Sequence, residues 1–184
     1  MSRDPGSYEH EAFGPSALGQ GATGRAVAVD LIGETIGGRY LLESVLGSGG
    51  MATVFRAREV LADRPVAVKL LHASLARQPK HRERFLREAR AAARVTHEHV
   101  VEIIDLGESR EGAVYLVMEY IEGRSLSEAM DQGRMSPMVA LQFADQCASA
   151  LARAHQLGII HRDIKPDNIA LIKDTMGREK VKIL

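Results

Sequence analysis

Residues 40–120 are built mostly of short β-rich runs broken by turn formers, whereas residues 125–157 carry their apolar side chains at the helical period. That change confines the chain to a sheet-bearing unit followed by a helical one. Segments 40–46, 53–58 and 65–71 read as three antiparallel strands, and 100–106 and 114–120 supply two more. Between the two sets, 79–95 is dense in Arg, Glu and Ala, with Phe85, Ala89 and Ala92 at helical spacing. Five antiparallel strands and one amphipathic helix make a small α+β lobe.

Farther on, Ser125 and Glu128 form a capping box that opens a short helix, which Gly133 ends. Ser136 and Pro137 then open a longer one, a cap residue followed by proline at the first helical position. Its stripe of Ala140, Ala144, Cys147, Ala148, Leu151 and His155 runs to about residue 157, and Gly158 stops it. Segments 169–172 and 181–184 read as a hairpin around a turn at 174–177. The expected division is a leader over 1–35, a first lobe over 36–121 and a partial, mainly helical second lobe over 122–184.

Composition narrows the function classes. Lys plus Arg equals Asp plus Glu at 24 each, so no global field favours nucleic acid or an anionic membrane, and any phosphate binding is local. The leader is rich in Gly, Ser, Ala and Pro and is expected to be disordered, with a strand-like island over 26–32 read as linker. No run approaches the roughly 20 apolar residues of a membrane span, and the first fifteen residues do not make a signal peptide. A cytoplasmic location is expected. Cys147, the single cysteine, excludes an internal disulfide and reads as a small core residue.

Three motifs carry chemistry. Leu46-Gly47-Ser48-Gly49-Gly50-Met51-Ala52-Thr53-Val54 lies between two strands, where a glycine-rich β-turn-β presents backbone N–H groups to phosphates; alone, a plain tight turn explains it as well. Val66-Ala67-Val68-Lys69 puts a lysine on a strand, and Glu88 on the following helix is the carboxylate expected to partner it. His161-Arg162-Asp163-Ile164-Lys165-Pro166-Asp167-Asn168 places a carboxylate for a hydroxyl proton, an ammonium for a phosphoryl group and an amide oxygen for a cation within six positions. A merely solvated loop explains the charges but not this order of residue types. The histidines His72, His81, His97, His99 and His155 show no metal-ligand spacing on one element and read as loop or packing residues.

Glycine loop, strand lysine, helix glutamate and His-Arg-Asp with Lys and Asn, in this order, resemble the eukaryotic-like protein kinase family over about 36–184. The Gly50-Met51 spelling and the 118–121 strand end look most like bacterial serine/threonine kinases, and Lys165 favours Ser/Thr over Tyr specificity. The resemblance implies a two-lobed protein-kinase-like fold, ATP and Mg²⁺ as cofactors, and a protein substrate with a Ser or Thr hydroxyl. Gly47 to Ala52 would then cover the phosphates, and Lys69, oriented by Glu88, would contact them. Adenine would sit between Leu46, Val54 and Ala67 above and Ala170 below, with Met118 as gatekeeper and the Glu119 carbonyl and Ile121 backbone as hinge bonds. Asp163 would be the catalytic base, Lys165 its phosphate-facing helper and Asn168 a magnesium ligand. His161 would be structural, and Arg162 resembles the arginine that pairs with a phosphorylated activation loop.

Two departures are small side chains: Ala52 replaces the third glycine of the loop, and Ala170 replaces the larger apolar residue usual beneath adenine. In that family 181–184 leads directly into Asp-Phe-Gly, so the chain is expected to be an incomplete kinase with an exposed 136–157 stripe and little activity of its own. A non-catalytic nucleotide- or protein-binding module derived from a kinase is the alternative, against which Lys69, Asp163 and Asn168 are all intact.

Overall fold

A computed structural model of the protein describes residues 30–184. Six strands form the first sheet: β1 (Thr35–Ile36), β2 (Tyr40–Ser48), β3 (Ala52–Glu59), β4 (Arg64–Leu71), β5 (Ile103–Glu108) and β6 (Val114–Glu119), in the order β1-β2-β3-β4-β6-β5 with antiparallel neighbours. The sequence reading gave five strands. The added β1 is two residues long, too short to display a period, and straddles the boundary between the stretch read as leader and the first lobe. Residues 30–32 of the supposed linker island form a turn with Gly33, Leu31 packs on the core, and 26–29 lie outside the described residues.

Strand alternation sorts the side chains onto two faces. On β4, Val66, Val68 and Leu70 join Tyr40, Leu42, Phe55, Tyr115 and Val117 in one buried cluster. Ala67 and Leu71 turn to the other face, where Leu71 packs with Ala52, Val114, Leu116 and the helix residues Phe85 and Ala89. Lys69 lies between Ala67 and Leu71 in the same alternation. The helix is α2 (Pro79–Ala92), preceded by one short turn, α1 (Ala73–Ala76). Burying Phe85 fully contributes about 1.5–3 kcal/mol relative to leaving it exposed. The Tyr115 hydroxyl wedges against the backbone of Gly37 and Gly107, where an added β-carbon would lie 2.3 Å from it.

Residues 100–101, read as the start of a strand, serve another purpose. Val101 N–H donates to the Ile183 carbonyl at 2.8 Å and Ile183 N–H to the His99 carbonyl at 2.9 Å, joining the first lobe to the second. Buried His99 adds a bond from Nδ1–H to the Val181 carbonyl at 2.9 Å. An apolar pair facing this junction has the same β-branched spelling as a sheet strand, so pattern alone does not separate the two.

The second lobe holds β7 (Arg124–Ser125), α3 (Leu126–Asp131), α4 (Pro137–Gln156), a 3₁₀ turn at Pro166–Asn168, β8 (Ile169–Lys173) and β9 (Glu179–Ile183). Both reciprocal bonds of the Ser125–Glu128 capping box are made, and Ser136 Oγ accepts from Val139 N–H at 3.3 Å. The hairpin turns on Asp174, whose Oδ1 accepts from the N–H groups of Met176 and Arg178, both at 2.9 Å. β7 adds a third strand to that hairpin.

The buried face of α4 differs from the stripe read in the sequence. Phe143, Ala150 and Ala154 are buried and Val139 and Cys147 pack beside them, whereas Ala140, Ala144, Ala148 and His155 are exposed. Phe143 meets Ile169, Leu171 and Val181 of the hairpin, and this contact fixes which side of an alanine-rich helix is dry. Burial pushes the Cys147 thiol up, which disfavours the reactive thiolate.

Candidate active site

A cavity of about 640 Å³ lies between the lobes. Leu46, Val54, Ala67, Lys69 and Met118 border it from the sheet, Glu119 to Ile121 from the connecting segment, and Ala170, Asp167 and Leu184 from the second lobe. Eight residues named from the sequence, Leu46, Val54, Ala67, Lys69, Met118, Glu119, Ile121 and Ala170, therefore share one cleft. Its sheet-side wall is apolar because Val54, Ala67, Val101 and Met118 pack as a buried cluster with Leu184 against it.

The glycine-rich stretch is the tip of the β2–β3 hairpin. Gly47 pairs with Val54 and Ser48 with Thr53, and Gly49 N–H donates to the Ala52 carbonyl at 2.9 Å. Gly50 is exposed, whereas the side chains of Met51 and Ala52 pack toward α1 and α2. Thr53 is buried, its hydroxyl within 3.0 Å of Ser48 Oγ and 3.1 Å of His72 Nε2. His72 N–H also donates to the Met51 carbonyl at 2.9 Å. With these side chains engaged elsewhere, what the tip offers a ligand is mainly backbone N–H. Glu88 of α2 is half-buried and accepts from Arg84 Nε at 3.0 Å. It borders a second cavity, shared with Met118 and His161, behind the cleft.

Asp163, Lys165 and Asn168 come together at the foot of the cleft. Asn168 is fully buried, and its Nδ2 donates to the Asp163 carbonyl at 2.9 Å and to Asp163 Oδ2 at 2.8 Å. Lys165 Nζ stands 3.2 Å from the same Oδ2. His161 Nε2–H donates to the Leu184 carbonyl at 3.0 Å while Nδ1 accepts from Asp163 N–H at 3.4 Å, so the imidazole braces the loop. Leu184 N–H in turn donates to the Asn168 carbonyl at 3.0 Å. None of Asp163, Lys165 and Asn168 borders the 640 Å³ cavity; Asp167, one position before Asn168, and Leu184, bonded to the Asn168 carbonyl, do.

Asn168 Oδ1 is buried with no hydrogen-bond partner among the described residues. Both amide hydrogens point at Asp163, which fixes the amide orientation and leaves a hard oxygen donor unused, the kind of ligand Mg²⁺ takes. No group of three or more His, Cys, Asp or Glu among the described residues could hold a metal, so the chain fits a cation only as a partial ligand set.

Several features of the site had no clear sequence signal. Arg162 is held at φ 68°, a left-handed conformation that costs of order 1–3 kcal/mol in a non-glycine residue and sets the direction of the chain into Asp163. Gly123, after the connecting segment, approaches β8 so closely that a β-carbon would lie 2.2 Å from the Leu171 carbonyl. Ser127, Glu128 and Asp131 of α3 form a polar lip on the cleft. The capping box placed that helix but did not show which way it faces.

With this geometry, residues 40–184 match the family model described as protein kinase domain. The chain belongs to the protein kinase domain family, whose members use ATP and a divalent metal and act on protein substrates. It is 45% identical over 152 residues to the serine/threonine-protein kinase PrkC of Bacillus subtilis, covering 82% of this chain and 23% of that protein. It is 43% identical over 164 residues to PksC of Streptomyces coelicolor, covering 84% and 28%. The solved kinase domain of PknI from Mycobacterium tuberculosis superposes with a TM-score of 0.67 at 30% identity, over 83% of this chain and 60% of that one. The chain thus spans about a quarter of the length of these curated relatives. No helix among the described residues is long and apolar enough to cross a membrane.

Proposed function

We propose that this chain forms the nucleotide cleft and catalytic loop of an ATP-dependent serine/threonine protein kinase. The observation that carries the reading is the Asp163, Lys165 and Asn168 cluster at the foot of a cleft whose upper wall carries Lys69. Adenine lies between Leu46, Val54 and Ala67 and the small Ala170, beside Met118, with backbone bonds at Glu119 and Ile121. The hairpin tip from Gly47 to Ala52 covers the phosphates, and Lys69, oriented by Glu88, holds the α and β groups.

Asp163 takes the proton of the substrate hydroxyl. The hydroxyl oxygen bonds to the γ-phosphorus, the bond to the β–γ bridging oxygen breaks, and ADP leaves with that electron pair. Lys165 offsets charge on the transferred group from beside Asp163. Asn168 Oδ1 would hold Mg²⁺, which would supply charge neutralisation at the phosphate oxygens.

Two variants of the full-length protein test the assignment. Lys69→Met lowers γ-phosphate transfer by about 10² or more with unfolding unchanged. Asp163→Asn keeps ADP affinity within about threefold yet loses transfer by about 10³, because it alters the base and not the pocket. A Lys69→Met protein that transfers phosphate at the wild-type rate rejects the role of Lys69. Calorimetry finding that Asp163→Asn no longer binds ADP rejects the role of Asp163.

A further inference from the structure

An ion pair beside the cleft joins the lobes. On β9, Lys182 stands opposite Ala170, so both side chains share the face that floors the cleft. Lys182 Nζ reaches across to bond Glu119 Oε1 and also lies 3.3 Å from the Val100 carbonyl. Glu119 is the last residue of β6 and is itself clamped: Oε1 accepts from Glu102 N–H at 2.8 Å, and its own N–H donates to the Glu102 carbonyl at 2.9 Å. The Lys182 and Glu119 side chains are only 15% and 26% exposed. Two positions earlier on the same strand, Lys180 pairs with Glu98 at 2.9 Å, but there Glu98 is 65% exposed.

The two pairs are not equivalent. An exposed pair is screened by water and contributes little, whereas separating a largely covered pair leaves charge in a poorly solvated place. The covered pair sits on Glu119, which borders the cleft and which the proposed function assigns to the purine base. Movement of β9 against the first lobe is therefore felt at Glu119 as well as at Val101, which bonds Ile183 directly and also borders the cleft.

We propose that Lys182 is a positioning residue: its pair with Glu119 is a latch that holds the connecting segment against the floor strand and sets how tightly the cleft grips a purine ring. This rests on the nucleotide reading above. A purely structural pair would alter folding without distinguishing a ligand that has a base from one that lacks it. The latch acts on the base and not on the phosphates, which lie toward Lys69 and the glycine-rich tip.

The test uses the full-length protein and its variants Lys182→Met, Lys182→Arg, Glu119→Gln, the Lys182→Met/Glu119→Gln double and Lys180→Met. Dissociation constants for ADP and for tripolyphosphate, which has no base, are measured beside amide exchange at Val101 and Ile183. Lys182→Met is expected to weaken ADP about tenfold, to leave tripolyphosphate within about twofold, and to speed exchange at both amides about tenfold. The double variant should lose no more than the worse single one, and Lys180→Met should change nothing. Equal losses for both ligands, additive losses in the double variant, or unaltered exchange in Lys182→Met each overturn the latch. If Lys182→Met does not fold, Lys182→Arg decides: keeping the charge should keep ADP affinity within about threefold, and losing it overturns the proposal. If the unmutated chain binds neither ligand, the nucleotide reading fails and exchange alone judges the latch.

Discussion

Asn168 concentrates the chemistry of the catalytic loop in one side chain. Its amide hydrogens hold Asp163 from two directions while its oxygen remains dry and unpaired among the described residues. An unsatisfied buried acceptor costs about 1–3 kcal/mol, so this arrangement is stable only in a loop braced elsewhere, here by His161 and the Leu184 backbone. Asn168→Ala is expected to remove the gain in ADP affinity that Mg²⁺ confers while leaving affinity in a chelator within about threefold. Calorimetry with and without the metal checks this, and a metal-dependent gain that survives in the variant speaks against the ligand role. The loop's residue types are legible in order along the chain, and the structure brings Asp163, Lys165 and Asn168 within bonding reach. The left-handed backbone of Arg162 left no such mark, because arginine is not a residue that this conformation selects.

Among the elements, α4 separates pattern from packing. Alanines at 140, 144, 148, 150, 152 and 154 give the helix small side chains on nearly every side, so the helical period is plain but its phase is not. The phase is decided by Phe143 against Ile169, Leu171 and Val181, a contact with residues made much later in the chain. Phe143→Ala should therefore cost about 3–5 kcal/mol in urea unfolding, and Ala144→Glu on the wet side should stay within about 0.5 kcal/mol. The opposite order would mean that the helix is rotated from the face described. The longer strands were legible because β2, β3, β4 and β6 are runs of six to nine residues rich in apolar and β-branched side chains, bounded by turn formers. The two-residue strands β1 and β7 were not, since neither completes a repeat.

On the scale of the whole molecule, two carboxyl groups tie stability to acidity. Hydrogen bonds from Arg64 at 2.6 Å and from Arg39 at 3.0 Å hold Glu59 below the usual carboxylate range. The Arg178 backbone N–H, followed by its guanidinium, does the same for Asp174 in the hairpin turn. Both groups bind a proton more weakly folded than unfolded. Their contribution is present above about pH 4–4.5, the unfolded range, and is lost as pH falls through the lower folded values. The Glu59→Gln/Asp174→Asn double variant should accordingly show a shallower loss of stability below pH 4.5 than the unmutated chain, measured by unfolding at stepped pH. Parallel acid curves would remove these groups from the account.

The junction between the lobes has a further consequence, for the order in which the molecule is made. His99 and Val101 are completed by partners near Val181 and Ile183, and His99 precedes Val181 by 82 residues. At about 5–20 residues per second, a ribosome leaves that linker unzipped for roughly 4 to 16 s after it has emerged. The sheet can assemble in that interval, but its lower edge stays raw until the last strand arrives, so nascent chains stalled between about 110 and 180 residues are where a chaperone would find the most to hold.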